Sequence, residues 1–377
     1  MNADRLFKRS LVSLYDFRRR SEFRRKLRAM MNTVGKESGM AAPPADIARA
    51  HIALWDRLGS SGGTGWLQLY GNTSGKWDAR FIPEPVYYNI IEPCLNEKSF
   101  AKAYSDKNFY HRLLPEFDLP RTIAGCTGGV FYSPERKTLS DNQIESLLGS
   151  EQSFIVKPSV DSGGGRGVTL WRRSEQGFTS DDGVAFSLPD IKSRCGRNFI
   201  IQEVITSHPF YARYNRSSLN TVRMLTYRSV SDNSIHILHS VMRVGASGSI
   251  TDNQASGGYA CTIDNKGALT GRATDKQGKI FSSVNGVDLV PGTMVEGYTV
   301  MADAALRIAA AFTHARLLGL DICLDDKGKV RLIEVNCVNN EINFFQIPHG
   351  PLFGDFTGEV VEWCSGRKRS FLIDFDI

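Results

Sequence analysis

Two periodicities alternate along the chain. Apolar residues recur at helical spacing over roughly residues 3–31 and 45–58, where Leu11, Leu14, Phe17, Phe23 and Leu27 can share one side of a helix with arginines opposite. Between these stretches GKESGMAAPP is a turn-rich linker, and SSGGTG at 60–65 is a second loop. WLQLYGNTSGKWDARFI reads as a short hairpin, YSDKNFYHRLLPEFDLP holds a helix that stops before Pro120, and another helix lies near 140–148. Strand-like runs follow: SFIVKP, then NFIIQEVI ending near Ile205. NTVRMLTYRSV and SIHILHSVMRVG, joined by SDN, form a long antiparallel hairpin. A helix near 300–317, ending at Gly319, precedes a last hairpin, LDICLDDKGKVRLIEVN. There are no repeats and no low-complexity tracts. Hairpins dominate, so the fold class is α+β with mostly antiparallel sheets.

Length adds that 377 residues exceed one ordinary core and call for two or three lobes. No run approaches the roughly 18 apolar residues of a membrane span, and the first residues lack the apolar stretch of a signal peptide. Seven scattered cysteines without a CxxC pair argue for reduced thiols in the cytosol, against a zinc ribbon or a disulfide scaffold. Cys323 and Cys337, which flank residues discussed below, read as packing. Residues 1–30 hold ten Lys or Arg against three Asp or Glu, so the net +6 of the whole chain leaves about −1 for the remainder. The basic excess is therefore one segment and not a nucleic-acid-binding face. That segment suits peripheral contact with an anionic membrane surface, at its inner face, or with an acidic partner. The plainer alternative is a surface helix packed on its own domain with its basic face in water.

The last hairpin carries the first chemical signal. In RLIEVN, Glu334 and Asn336 are two apart on a strand and share a face. If the turn closes around Asp326 and Lys327, Asp321 lies opposite Leu332 on that same face, diagonal to Glu334. Two carboxylates and an amide would then converge, an oxygen donor set that suits Mg²⁺. An odd loop length would send Asp321 to the other face. The second signal is FIVKPSVDSGGGRGVTLW, where Lys157 ends an apolar strand and a glycine-rich turn follows. Bare backbone N–H groups in such a turn, Ser162, Gly163, Gly164, Gly165 and Gly167, can approach phosphate oxygens. No GK[ST] follows, so this is not a Walker A loop, and no helix opens after it, so it is not a dinucleotide fingerprint. Arg223, inside an otherwise apolar strand, calls for an anionic partner.

The order Asp-Lys before a helix, VKPS with a glycine loop, QEVI, NTVR, then an aspartate and ExN resembles the ATP-grasp superfamily. DKNFYHRLL and IVKPSVDSGGGRGV are similar to the matching stretches of D-alanine–D-alanine ligases. NTVRMLTY, MRVGASGSITDNQASGGYA and LDICLDDKGKVRLIEVN resemble the sugar-transfer associated ATP-grasp branch more closely, over about residues 95–346. The resemblance implies two α+β subdomains clasping ATP beside a helical N-terminal region, with parts at 1–95, 96–205 and 206–377. It implies that Lys107 and Lys157 hold the α- and β-phosphates. The 162–167 loop closes over the β- and γ-phosphates, and Gln202 leads into a hinge, Glu203, Val204 and Ile205, whose backbone reads adenine. His208 sits where other members place an acidic ribose ligand. Arg223, and with it Arg243 and Asn253, would face the transferred phosphate and an acceptor carboxylate, while Asp321, Glu334 and Asn336 hold Mg²⁺. The implied activity is an ATP-dependent carboxylate–amine ligase working through an acyl phosphate, in cell-surface polysaccharide or natural-product biosynthesis. Its substrates would be small molecules, an amino acid or a uronic acid, free or glycan-linked. A phosphotransferase on the same fold and a nucleotide-binding scaffold are the alternatives.

Overall fold

A computed structural model describes residues 3–59, 62–160, 166–175 and 177–366. Three helices open the chain: α1 (Ala3–Ser38), α2 (Ala45–Asp56) and α3 (Gly65–Ser74). Helix α3 replaces the expected hairpin over WLQLYGNTSGKWDARFI. Its Trp66, Leu67, Leu69 and Tyr70 are all buried, so no single apolar stripe marks it as a helix in sequence. It ends at Gly75, whose φ of +73° is the left-handed closure that glycine makes at least cost. Helical turns continue through Glu84–Val86, Tyr87–Ile91, Glu92–Leu95 and Lys98–Ser105. The helix expected to run up to Pro120 is shorter. After Tyr110–Leu113 the chain leaves helical geometry at Leu114, because Pro115 disfavours the α region for the residue before it.

The first sheet contains β1 (Thr122–Thr127), β2 (Val130–Tyr132), β3 (Thr138–Leu139), β4 (Ser153–Pro158), β5 (Thr169–Ser174), β6 (Gly177–Ser180) and β7 (Phe199–Gln202). Its order is β3-β2-β1-β7-β4-β5-β6, antiparallel throughout. The helix Asp141–Leu148 leads into β4 and starts on a reciprocal cap between Ser140 and Gln143. Phe154, Trp171, Phe199 and Ile201 fill the core beneath this sheet.

The second sheet contains β8 (Val222–Arg228), β9 (Ile235–Val244), β10 (Tyr259–Ile263), β11 (Leu269–Thr274) and β12 (Ile280–Phe281). A two-stranded ribbon, β13 (Ser283–Val284) with β14 (Val287–Asp288), stands apart from it. Strands β15 (Leu317–Leu324) and β16 (Val330–Asn336) complete the sheet, in the order β12-β11-β10-β9-β8-β15-β16. The expected hairpin of β8 and β9 is present. The preceding helix is Tyr298–Ala311, shorter than expected. Leu317 to Leu324 is strand, and every residue in it is buried, so it shows no alternation. One face of this sheet covers Tyr298–Ala311. The other packs on the first helices and on Asn343–His349 and Thr357–Cys364, so that Phe23, Trp66, Tyr87, Tyr227, Phe345 and Val360 share one core. No helix of the described residues is long and apolar enough to cross a membrane.

Candidate active site

The two sheets face each other across a cleft of about 1000 Å³, and the sequence-predicted residues meet in it. Lys107, Lys157, Gln202, Glu203, Val204, Ile205, Arg223, Arg243, Asn253, Asp321, Glu334 and Asn336 all line it. Ser162, Gly163, Gly164 and Gly165 lie outside the described residues. Gly167 is placed instead in a smaller depression with Arg194 and Arg197, its φ of +78° in the left-handed region. His208 does not line the cleft. Its Nδ1 accepts from the Phe210 N–H and so caps the short helix Pro209–Ala212.

Local structure explains each placement. Lys157 is on β4, two residues from Ile155, so both reach the same face. Lys107 is brought alongside because its backbone N–H donates to the Ser159 carbonyl at 2.8 Å, just beyond that strand. Val204 and Ile205 follow the end of β7. Among the described residues their peptide groups bond to nothing within the protein, although they line the cleft. Such groups are what a flat heterocycle could use for edge-on recognition.

The acidic row differs in register from the sequence expectation. Asp321 pairs directly with Glu334 and not diagonally, because a bulge between Asp321 and Ile322 leaves Ile333 as an extra residue. Asp321 also pairs with Arg223, so Arg223, Asp321 and Glu334 form one row across β8, β15 and β16. The bulge lets adjacent Ile333 and Glu334 both line the cleft.

Charge in this row is already paired. Arg223 donates to both oxygens of Asp321, Nε to Oδ1 at 2.7 Å and Nη2 to Oδ2 at 2.6 Å. Arg243 adds Nη1 to Oδ2 at 2.7 Å and reaches Asp252 Oδ1 at 3.0 Å. The two-point anion expected for Arg223 is therefore Asp321 itself. Burial works to raise the Asp321 carboxyl, but Arg223 and then Arg243 outweigh it and hold the group below the ordinary carboxylate range. Lys107 Nζ is 2.6 Å from Glu334 Oε1. Asn336 Nδ2 donates to the Gly319 carbonyl at 3.0 Å. Lys157 is the exception. It is 9% exposed and has no ion-pair partner among the described residues; burial, and then the nearby Lys107, pull its ammonium down to about 8. A buried cation without a direct ion pair, offset only through space by Glu334 and Asp321 and opening on a cleft, fits an anionic ligand such as phosphate.

Asp321, Glu334 and Asn336 supply oxygen donors only, the set that suits a hard cation sharing its shell with phosphate and water. No group of three or more His, Cys, Asp or Glu able to hold a metal occurs among the described residues. An ion here would thus draw much of its shell from the ligand. Sequence reasoning missed the apolar walls Ile155, Leu170 and Ile333, and also Asp252, Arg216 and Lys276. Ile155 was within reach by its two-residue offset from Lys157. The others reach the cleft through a cross-strand pairing, a bulge and loops, which leave no local signal.

A family model described as sugar-transfer associated ATP-grasp matches residues 89–356. A comparison with curated proteins gave no match. Among solved structures, the chain is similar to the VanG D-Ala:D-Ser ligase of Enterococcus faecalis at 12% identity, covering 72% of this chain and 64% of that one, with a TM-score of 0.42. For the D-alanine–D-alanine ligase of Bacillus anthracis the values are 14%, 68%, 67% and 0.37. For the ATP-grasp ligase PsnB, solved with a precursor variant, Mg and ADP, they are 14%, 70%, 61% and 0.37. The chain thus spans less than two thirds of the length of the VanG and PsnB ligases. The match of the family model over most of the sequence, on the same stretch that builds the cleft, makes this chain a member of the sugar-transfer associated ATP-grasp family.

Proposed function

We propose that the cleft binds ATP and that the protein is an ATP-dependent carboxylate–amine ligase. The observation that carries this reading is the unpaired, buried Lys157 beside an oxygen-donor row, Asp321, Glu334 and Asn336, in the cleft between the sheets. In this reading Lys157 and Lys107 receive the phosphates, and Lys107 exchanges its bond to Glu334 for one to phosphate. Val204 and Ile205 offer peptide groups to the adenine edge, and Ile155, Leu170 and Ile333 offer apolar walls to its faces. Asp321, Glu334 and Asn336 would hold Mg²⁺, which when bound offsets charge on the phosphoryl group in transfer.

Arg223 and Arg243 then act first through Asp321, fixing its carboxylate and keeping it ionised. The exposed Arg216 and Lys276 have no ion pair among the described residues and line the same cleft, where they offer an entrance to an acidic substrate. The acceptor carboxylate attacks the terminal phosphorus and ADP leaves; an amine then displaces phosphate from the acyl phosphate, losing its proton to water or base. Excluding bulk water in the closed site would protect that acyl phosphate. The family's description is compatible with a sugar-linked setting; within it, the reading takes a uronic acid or amino acid as substrate, in cell-surface polysaccharide or natural-product biosynthesis.

Phosphate release from ATP and Mg²⁺ tests the reading, using pooled uronic and amino acids with and without pooled amines. Release that needs both pools supports the ligase. ADP formed with a hydroxyl compound alone, without a carboxylate and without free phosphate, would make the protein a phosphotransferase.

A further inference from the structure

Helix α1 has two apolar stripes, and among the described residues only one of them is packed. From Phe23 onward the helix is packed. Phe23 stacks on Tyr88 at 5.4 Å, Met30 and Val34 are buried, Leu27 lies against Gly65, and Lys26 meets the buried Glu84 at 2.6 Å. Before Phe23 the picture reverses. Phe7 is 61% exposed, Leu14 65% and Phe17 66%, while Leu11 is half-buried.

The exposed stripe does not continue the packed one, so Leu11, Leu14 and Phe17 do not share a side with Phe23 and Leu27 as the sequence pattern suggested. Positions 7, 11 and 14 repeat as 23, 27 and 30, sixteen residues on. At 3.6 residues per turn that is about four and a half turns, so the two stripes lie on nearly opposite sides of one helix. Among the described residues, the body of the protein therefore leaves the first stripe uncovered. None of the cleft-lining residues lies on α1, so the ATP site does not account for it either.

Charge identifies what that is. Residues 1–30 carry ten Lys or Arg against three Asp or Glu, and Arg18 and Arg20 are exposed beside the stripe. Two copies paired through this face would bring two strongly basic segments together, which opposes self-association. An apolar stripe on a basic, otherwise unpacked helix half fits the boundary between headgroups and acyl chains of an anionic bilayer. Phe and Leu enter the acyl region there, and Arg side chains reach lipid phosphates. We propose that residues 3–20 are a docking helix for an anionic phospholipid surface, which would hold the ATP cleft close to a membrane-bound substrate. The inference is independent of the ligase reading, since it concerns no residue of the cleft.

The test is sedimentation of the full chain with vesicles of phosphatidylcholine alone, or mixed with phosphatidylglycerol. The protein is expected to pellet with the mixed vesicles, to pellet little with phosphatidylcholine alone, and to be released by about 0.5 M salt. A Leu14→Glu, Phe17→Glu double variant should partition about tenfold less or worse, with an unchanged melting temperature because both side chains are exposed. Arg18→Glu with Arg20→Glu should lose the preference for anionic lipid. No binding to mixed vesicles, or equal binding by wild type and Leu14→Glu, Phe17→Glu, overturns the proposal. Lipid-free dimers that this double variant abolishes would assign the stripe to a second copy and overturn it as well.

Discussion

Lys157 is buried at the cleft with no ion-pair partner among the described residues, an arrangement that costs the fold stability. Its buried ammonium is pulled down to about 8, first by burial and then by Lys107. The ordinary lysine value is about 10.4, so between these two pH values the unfolded chain binds more protons, and stability rises with pH. The cost of the buried charge is present in full below about pH 8 and fades towards pH 10. Lys157→Met should therefore raise stability at pH 7 by roughly 1–3 kcal/mol, with the gain shrinking by pH 10. Denaturant unfolding of the two proteins at both pH values checks this, and a loss of stability at pH 7 would mean that Lys157 has an internal partner. The carboxylates divide in a different way. Asp321 neutralises two buried arginines, so Asp321→Asn should cost about 3–5 kcal/mol of folding stability. Glu334 is 26% exposed at its side chain, pairs with Lys107 and acts on Lys157 through space, so Glu334→Gln should cost less than Asp321→Asn, about 1–2 kcal/mol, while activity falls by orders of magnitude. Equal destabilisation by both would contradict the division of labour between them.

At the scale of elements, the hairpin of β15 and β16 explains what could and could not be read from sequence. Its turn and the shared face of Glu334 and Asn336 follow from turn chemistry and alternation, whereas β15 is buried along its whole length and its first residues read as the end of a helix. The bulge at Ile333 does not follow from either, and it alone decides that Asp321 stands directly opposite Glu334. Arg223 was recognisable as a residue that needs an anion, but its partner is 98 positions away and is fixed only when β8 and β15 pair. Helix α3 was misread because it is buried almost all round, which erases its period. His208 was assigned by its place in the order of motifs, while its geometry is that of a helix cap. The loop that carries Asp252 and Asn253 to the cleft was legible only through the family resemblance, which named Asn253 and not Asp252. Gly258 shows what fixes it: a Cβ there would stand 2.8 Å from the Asn253 carbonyl oxygen and 2.9 Å from those of Asp252 and Val244. These are backbone atoms that cannot rotate away. Gly258→Ala should push the loop from Arg243, lowering both melting temperature and turnover, and wild-type turnover in that variant would show that the loop tolerates displacement.

For the whole molecule, the two sheets hold a cleft lined by lysines and arginines, which under the proposed function receive the phosphates of ATP. Lys157 of one sheet, with Lys107 beside it, and Arg223, Asp321, Glu334 and Asn336 of the other line the cleft together. A nucleotide bound between them would stabilise the folded state by mass action, and its affinity would depend on the charge of Lys157. Calorimetric titration of ATP and Mg²⁺ into the wild-type protein and Lys157→Met, at pH 7 and pH 9, therefore addresses the central claim most directly. The account predicts binding by the wild type, weaker at pH 9 as Lys157 loses its proton, and binding at least about tenfold weaker by Lys157→Met at pH 7. Wild-type affinity that is the same in Lys157→Met and at both pH values would contradict it.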